Sequence, residues 1–365
     1  MDATDAVHGG ERPDPIHGAA NQEIVHSTTY RYPERRDGSH APYIYTRYDN
    51  PTVEALEAKL AQLEHADGAL AFASGMAAIQ AVCQAFCKPG DTLAVMRGVY
   101  GGTMAYLREE LEPMGVHVHV FDADGPRSVP DGTTVVWMES ITNPLLRVPD
   151  VKAWAEVARE VGARLCVDAT FATPVLQRPL DLGAHIVVHS GTKYLGGHTD
   201  VMSGFIVHRQ QDRDALWTTR RNLGAVLDPL AAYLVARGMK TLPLRMAAHG
   251  ANANMIAKAL EGHPKIKAVH HATLPAGPCG MVTLDLGSEE SAIAFRRATR
   301  LLTPAASLGG VESLVSLPIE TSHAYATDAQ RAAEGITSGL VRISVGIEDG
   351  ADLLADIEQA LGQCP

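Results

Sequence analysis

The sequence predicts an α/β fold in which helices cover both faces of a largely parallel β-sheet. Short apolar runs rich in β-branched residues recur from residue 69 onward, and helical segments separate them. Strands that alternate with helices pair in parallel, because each helix returns the chain to the same end of the sheet. A length of 365 residues lets such a domain bury a large core and leaves room for a smaller second domain.

The composition is that of an ordinary globular protein, with 46% hydrophobic and 20% charged residues. A net charge of -11 without a basic cluster argues against a nucleic-acid partner. No apolar run has the length of a membrane span, and Met1–Asp5 lacks the basic residues of a secretion signal. We therefore expect a cytoplasmic protein with no membrane partner.

The five cysteines are odd in number and contain no Cys-x-x-Cys spacing, so we expect buried thiols and no disulfide framework. Two pairs of nearby histidines each lack a third ligand within reach. The sequence therefore predicts no metal site.

The first 50 residues show little periodicity and predict an extended arm. Within the arm, Tyr45 and Arg47 precede a helix that we expect to begin near Val53 with Thr52 as its cap. The tyrosine-rich segment either packs against a neighbour or gives Arg47 and a tyrosine to an anion.

The chain is expected to divide into an arm over residues 1–50, a large domain over 51–235 and a small domain over 236–365. Predicted strands of the large domain are 69–72, 92–96, 116–121, 133–138, 164–167 and 185–188. After the first strand, Ser74-Gly75-Met76 leads into a helix from Ala77. A turn of small residues at a helix N-terminus binds anions, although such turns are common in α/β proteins.

Polar residues follow three neighbouring strands where each strand ends. Glu139 and Asn143 follow one strand, Asp168 and Thr170 the next, and Lys193 the third. The carboxyl ends of parallel strands share one edge of the sheet, so these side chains predict a converging site. Taken singly, Asp or Asn at such positions is also typical of a cap or turn.

The loop after the third strand carries Ser190, Thr192 and Lys193. Two hydroxyl groups beside a lysine suit a phosphate. A lysine at the end of a buried strand loses its proton more easily than an exposed one, and its neutral amine is a nucleophile towards aldehydes. A lone lysine is usually a surface residue, but the groups at the other strand ends favour the functional interpretation.

The remaining chain predicts the second domain. Residues 223–260 indicate a long helical stretch that Pro243 kinks or divides. Strands over 281–286 and 340–345, helices over 291–301 and 351–361 and a turn over 307–314 follow. Arg342 lies in an otherwise apolar strand and needs an anionic partner, such as a substrate carboxylate.

Together these segments resemble the Cys/Met-metabolism family of pyridoxal-phosphate enzymes, which includes cystathionine γ-synthase, cystathionine γ-lyase and methionine γ-lyase. The resemblance runs from about His8 to the C-terminus in the family's order. Its seven motifs are Y-x-R-x-x-N-P-T from Tyr45, S-G-M-A-A from Ser74, V-Y-G-G from Val99, E-S-x-T-N-P from Glu139, S-x-T-K-Y-x-x-G-H from Ser190, S-L-G-G-x-E-S-L from Ser307 and V-R-x-S-V-G-x-E from Val341. The resemblance implies the aspartate-aminotransferase type of fold (fold type I) and a homotetramer built from two active dimers.

The resemblance also implies roles for individual residues. Lys193 would bind pyridoxal 5'-phosphate covalently and act as catalytic base, Tyr100 would stack on the ring and exchange protons, and Asp168 would face the pyridine nitrogen. The further cofactor ligands implied are Gly75, Met76, Thr170, Ser190 and Thr192, with Tyr45 and Arg47 from a neighbouring subunit. The implied substrate ligands are Asn143, Ser307 and Arg342 for the carboxylate and Glu312 for a distal ammonium.

Departures from the family pattern concern the substrate. Ile44 and Ala105 replace an acid and an arginine common in cystathionine-handling members, and Gly102 replaces a cysteine favoured in methionine γ-lyases. The resemblance implies a carbon–sulfur lyase acting by γ- or β-elimination on a sulfur amino acid, with γ-replacement on an activated homoserine ester as the alternative. A family member without catalysis is the third possibility, which the intact Lys193, Asp168 and Tyr100 oppose.

Overall fold

The computed structural model describes residues 3–11, 17–31, 43–324 and 326–365. In these ranges the helices are α1 (Ala3–His8), α2 (Pro51–Leu63), α3 (Gly75–Phe86), α4 (Gly101–Tyr106), α5 (Val151–Glu160), α6 (Thr173–Leu176), α7 (Arg213–Leu223), α8 (Pro229–Met239), α9 (Leu242–Leu260), α10 (Glu289–Ala298), α11 (Asp328–Glu334) and α12 (Gly350–Gly362). The strands are β1 (Gly68–Phe72), β2 (Thr92–Met96), β3 (His117–Phe121), β4 (Thr133–Glu139), β5 (Arg164–Asp168), β6 (Ile186–Ser190), β7 (Gly204–His208), β8 (Ala268–His270), β9 (Thr273–Leu274), β10 (Gly277–Pro278), β11 (Met281–Asp285), β12 (Thr303–Pro304), β13 (Leu314–Ser316) and β14 (Leu340–Ser344).

The large sheet has the strand order β1-β7-β6-β5-β4-β2-β3. Strands β2 to β6 pair in parallel, whereas β7 pairs antiparallel with both β6 and β1. The predicted α/β fold with a largely parallel sheet is confirmed. Strand β7 was not predicted, although its apolar run Phe205–Val207 is typical of a strand.

Helix α2 is capped by a different residue from the one predicted. Asn50 Oδ1 accepts hydrogen bonds from Thr52 N (2.9 Å) and Val53 N (3.4 Å), and the helix begins at Pro51. The prediction that Thr52 caps this helix is therefore wrong. Its hydroxyl instead donates to Glu23 O at 3.0 Å and accepts from Val25 N at 2.9 Å, which ties the preceding segment to the helix. Proline suits the first helical position because its missing N–H would have no partner there.

The predicted extended arm contains a helix. Lys59 Nζ donates to Ala6 O (3.0 Å) and Val7 O (3.1 Å), so a buried ammonium closes the C-terminal end of α1. This arrangement stabilises a helix too short to persist alone in water. Residues 1–2, 12–16 and 32–42 of the arm lie outside the described residues.

The predicted helical stretch over 223–260 consists of α8 and α9, preceded by α7, which ends at Leu223. Pro243 divides it, because α9 begins at Leu242 with the proline in its first turn. Early α9 residues such as Met246 belong to the core of the large sheet, and later ones such as Ile256 belong to a second core. The predicted domain boundary at residue 235 stays a prediction.

The second core lies against a five-stranded sheet with the order β12-β13-β14-β11-β8. Thr283 of β11 donates to Pro144 O at 2.8 Å, so this sheet contacts the loop that follows β4. The carboxyl ends of the parallel strands therefore face the smaller sheet. Among the helices of the described residues, none is long and apolar enough to cross a membrane.

Candidate active site

A cavity of about 570 Å³ lies where the strand ends of the large sheet meet the smaller sheet. Eleven of the predicted site residues line it: Gly75, Met76, Tyr100, Asn143, Asp168, Thr170, Ser190, Thr192, Lys193, Ser307 and Arg342. Tyr45, Arg47 and Glu312 are not among its lining residues. The converging site that the strand ends predict is therefore present as one cavity.

Lys193 presents its amine to this cavity. Its Nζ donates to Ser307 Oγ at 2.7 Å. Burial, and secondarily the charge of Arg342, lower the pKa of Lys193 to about 8. A substantial fraction of this amine is therefore neutral, and hence nucleophilic, near physiological pH.

Ser307 holds an unusual backbone conformation for a residue with a side chain. Its φ of +102° lies in the left-handed region that favours glycine. Arg342 Nη2 donates to Ser307 O at 3.2 Å, and Lys193 donates to the Ser307 hydroxyl. Both cationic groups thus hold the same residue, and its strained backbone is fixed at the site.

The N-terminus of α3 also lines the cavity. Ser74 Oγ caps the helix by accepting from Ala77 N at 3.1 Å. Within the part of the chain that the structure describes, no acceptor is recorded for the first two N–H groups of α3, those of Gly75 and Met76. A Cβ atom on Gly75 would lie 3.0 Å from Ser190 Cβ, so glycine permits the close approach of the two segments. These donors and the helix dipole suit a phosphate.

Thr170 connects the ends of β5 and β6. Its N–H donates to Asp168 Oδ1 at 2.9 Å, and its hydroxyl accepts from Ser190 N at 2.8 Å. Burial raises the pKa of Asp168, while the hydrogen bonds from Thr170 and the nearby His189 act in the opposite direction. A carboxylate in this position is stabilised by a cationic group placed beside it.

Thr192 orders the turn that carries Lys193. Its hydroxyl donates to Ser203 O at 3.2 Å and accepts from Ser203 N at 3.0 Å. The turn after β6 is thereby fixed to the segment that leads into β7.

Arg342 supplies a buried cation on the side of the smaller sheet. It is 6% exposed, and its Nη1 donates to Asn143 Oδ1 at 3.1 Å. Burial lowers the pKa of Arg342 to about 10, so the guanidinium stays charged at neutral pH. No carboxylate of the described residues lies within ion-pair distance of it. Because a buried cation needs an anionic partner, this side of the cavity suits a carboxylate ligand.

Tyr100 and Glu139 both line the cavity and contact each other. Tyr100 N donates to Glu139 Oε1 at 2.6 Å, and the Tyr100 side chain is 43% exposed. A Cβ atom on Gly102 would lie 2.5 Å from Tyr100 Cε1, so a cysteine at position 102 would displace this ring. Sequence reasoning marked Glu139 as a polar strand end but assigned it no role.

Tyr45 and Arg47 lie together outside this cavity. Arg47 Nη1 donates to Arg221 O at 3.0 Å, and its guanidinium carbon lies 4.9 Å from the centre of the Tyr48 ring. Their predicted role in a neighbouring subunit stays a prediction, as does the distal role of Glu312. Ile44 and Ala105 also lie outside the lining of the cavity.

Several residues that line the cavity were not predicted from the sequence. They are Phe171, Met202, Glu320, Thr321 and Ser322. The segment over 320–322 belongs to an irregular turn, and no periodic signal in the sequence places it at the cavity.

Comparison with known proteins assigns this arrangement to a family. The sequence model described as Cys/Met metabolism PLP-dependent enzyme matches residues 3–362. The chain belongs to this family. It is 42% identical to cystathionine gamma-lyase of Bacillus subtilis, over 97% of each chain. It is 41% identical to cystathionine gamma-synthase of Mycobacterium tuberculosis, over 99% of this chain and 96% of the relative.

A solved structure supports the fold assignment. Cystathionine gamma-lyase from Lactobacillus plantarum, complexed with L-serine, superposes with a TM-score of 0.95 at 34% identity. The match covers 100% of this chain and 99% of that chain. The resemblance seen in the sequence and the predicted fold type I are thereby confirmed.

The cofactor is pyridoxal phosphate, as predicted. The cavity fits this group in three respects. The free N–H groups of α3 suit its phosphate, Asp168 suits a protonated ring nitrogen, and the Lys193 amine suits its aldehyde.

Proposed function

We propose that this chain is a carbon–sulfur lyase that removes the β or γ substituent of a sulfur amino acid. The observation that carries the proposal is the position of Lys193. Its amine, with a pKa of about 8, shares one cavity with phosphate donors on one side and the Arg342 cation on the other. The named activity of the Bacillus subtilis relative, cystathionine gamma-lyase, supports this choice.

Lys193 would take the proton from the substrate Cα and return it at a neighbouring atom. Pyridoxal phosphate, when bound, supplies an electron sink that stabilises negative charge at that carbon. Ser307, which accepts from Nζ at 2.7 Å, would hold the lysine near the reacting carbon between proton transfers. The lowered pKa of Lys193 suits this task because a general base works best near the pH of the solution.

Arg342 and Asn143 would hold the substrate carboxylate. Asn143 Oδ1 accepts from Arg342 Nη1 at 3.1 Å and so fixes the plane of the guanidinium. A planar guanidinium can bind a carboxylate through two parallel hydrogen bonds, which also sets its direction. The hydrogen bond from the Arg342 side chain to the main-chain oxygen of Ser307 keeps this carboxylate site beside Lys193.

Tyr100 would serve as the acid for the departing group, since it lines the cavity and its side chain is partly exposed. Asp168 would keep its negative charge opposite the ring nitrogen, while Thr170 fixes the orientation of that carboxylate. Gly75, Met76, Ser190 and Thr192 would hold the phosphate.

Tyr45 and Arg47 would complete the phosphate site of a neighbouring subunit. They lie outside the lining of their own cavity, and Arg47 carries a charge suited to a phosphate. The smallest active unit would then be a dimer, with the homotetramer formed from two such dimers. The cytoplasmic location predicted from the sequence belongs to this proposal as well.

γ-Replacement is the second candidate, because the Mycobacterium tuberculosis relative is named cystathionine gamma-synthase at nearly the same identity. Binding of the carboxylate and removal of the Cα proton use the same residues in both reactions. The difference is whether a thiol or water reacts after the leaving group departs.

Product analysis distinguishes the two activities. Purified protein is incubated with cystathionine, methionine, homocysteine and an acyl-homoserine, each with and without added cysteine, and keto acids and thioethers are measured. We expect keto acid and ammonia without added thiol, and none from the Lys193→Ala protein. Thioether formed only with cysteine and an acyl-homoserine, with no keto acid from any substrate, would contradict the lyase proposal.

A further inference from the structure

Glu139 is an acidic residue of the cavity that the proposed mechanism leaves unused. It ends β4, is 5% exposed and lines the cavity. Its Cα is the sheet partner of the Asp168 Cα on β5. Paired residues of neighbouring strands direct their side chains to the same face, so two carboxyl groups share this part of the cavity.

The Glu139 side chain contacts the main chain of Tyr100. The Tyr100 N–H donates to Glu139 Oε1 at 2.6 Å. Tyr100 is the N-cap of α4, which continues directly into a π-helical turn over Leu107–Leu111 and has no side-chain hydrogen bond at its N-cap. The hydrogen bond therefore attaches the start of a helix that lacks a side-chain cap to the end of a buried strand.

The direction of the Tyr100 ring depends mainly on the position of its backbone. A Cβ atom on Gly101 would lie 2.0 Å from Ser322 O, so the first turn of α4 lies directly against the 320–322 segment of the cavity lining. Gly102 leaves room beside the Tyr100 ring, whose side chain is 43% exposed. A ring with so little packing around it depends on its backbone for a fixed direction.

We propose that Glu139 is a positioning residue that fixes the backbone of Tyr100, so that the phenol group stays directed into the cavity. The inference rests on the role proposed for Tyr100. It adds that Glu139, at the end of a strand of the large sheet, holds Tyr100 in the position that this role requires.

The charge state of Glu139 suits this task. Burial, and then the neighbouring Asp168, raise the pKa of Glu139 well above its usual range, while the Tyr100 hydrogen bond acts in the opposite direction. A raised pKa favours the protonated form of Glu139, whose carbonyl oxygen still accepts the N–H. Asp168 then remains as the negative charge for the ring nitrogen, because two adjacent buried carboxyl groups do not both ionise readily.

A double-mutant cycle tests the connection through Tyr100. The proteins compared are the wild type, Tyr100→Phe, Glu139→Leu and the double variant. We expect Glu139→Leu to lower kcat about tenfold in the wild-type background, as for the loss of one buried hydrogen bond, but less than about twofold in the Tyr100→Phe background. Glu139→Gln keeps a neutral acceptor of the same shape, so we expect less than about a threefold loss and the wild-type pH profile.

A second measurement needs no activity. 3-Fluorotyrosine placed at position 100 gives a fluorine NMR signal in the cofactor-free protein. We expect one narrow resonance in the wild type and Glu139→Gln, and a shifted or broadened one in Glu139→Leu. Thermal unfolding verifies that the variants are folded, and Glu139→Ala replaces Glu139→Leu in both experiments if the latter does not fold.

Three results would overturn the inference: equal losses from Glu139→Leu in both backgrounds, a Glu139→Gln loss as large as that of Glu139→Leu, or an unchanged fluorine signal in Glu139→Leu. A Tyr100→Phe protein with full activity would instead refute the catalytic role proposed for Tyr100. In that case the fluorine experiment still tests whether Glu139 fixes the position of Tyr100.

Discussion

The two sides of the cavity are built differently. On the side of the large sheet, Asp168, Thr170 and Ser190 lie at the ends of adjacent parallel strands and are connected by hydrogen bonds of 2.8–2.9 Å. On the side of the smaller sheet, Arg342 lies in a strand, but the other lining residues lie outside the strands and α-helices, over 306–308 and 320–322. With the roles proposed above, cofactor binding would depend on regular elements, whereas substrate recognition would depend mainly on loops, which vary more readily.

The largest effect should come from the side of the large sheet. Lys193→Ala removes the amine proposed as both base and cofactor ligand, so we expect kcat to fall by on the order of 10³-fold or more. Initial rates measure the loss, and Lys88→Ala, at an exposed lysine, is the matched control.

Borohydride reduction of the wild type followed by peptide mapping should find the cofactor on Lys193. A label on any other lysine would show that the proposed site is wrong.

Changes on the side of the smaller sheet should weaken substrate binding. Arg342→Met removes the buried cation, so we expect KM to rise about 10- to 150-fold, which corresponds to about 1.5–3 kcal/mol for a hydrogen bond to a charged group. Arg342→Lys keeps the charge but loses the two directed contacts to Asn143 Oδ1 and Ser307 O, so its rise should be smaller. Equal KM values for the wild type and Arg342→Met would contradict the carboxylate role.

Arg47 tests whether the cofactor side is complete within one chain. Arg47→Ala should weaken cofactor binding about 10- to 150-fold, as for the loss of the one charge-assisted phosphate contact proposed for it, which is worth about 1.5–3 kcal/mol. Mixing Arg47→Ala with Lys193→Ala should restore part of the activity, since one hybrid site then contains both native residues. Verified hybrids without any recovery would disprove the contribution from a neighbouring subunit.

The pH dependence of cofactor capture tests the environment of Lys193. Because the lowered pKa is about 8 and only the neutral amine reacts, the covalent incorporation rate in cofactor-free protein should rise with pH and level off above 8. Below that value the rate should change about tenfold per pH unit. Stopped-flow absorbance between pH 6 and 9.5 measures it. A midpoint near the ordinary lysine value of 10.5 would contradict the effect of burial.

The smallest effect should come from the distal part of the substrate site. Without an arginine at Ala105, we expect kcat/KM for methionine, homocysteine or an acyl-homoserine to rival that for cystathionine. Ala105→Arg should raise the preference for cystathionine by about two- to fivefold, as for an exposed ion pair. A wild type that prefers cystathionine by about a hundredfold would point to Glu312 as the deciding residue.

The sequence by itself determined the parallel strands and the residues at their ends. Periodicity and β-branched content are properties of single segments, so β2 matched its predicted bounds, 92–96, and Asp168 and Lys193 were predicted to converge. Motifs of contiguous residues likewise identified the family and the cofactor.

Only the tertiary structure decided which distant groups meet. Lys193 and Ser307 are 114 residues apart, and Tyr100 and Glu139 are 39 apart, so no local pattern predicts either hydrogen bond. The cap of α2 also depends on tertiary context. The Thr52 hydroxyl forms hydrogen bonds with the main chain of Glu23 and Val25, and Asn50 caps the helix instead. The lowered pKa of Lys193 has the same origin, since burial and the charge of Arg342 arise only when the two sheets pack together.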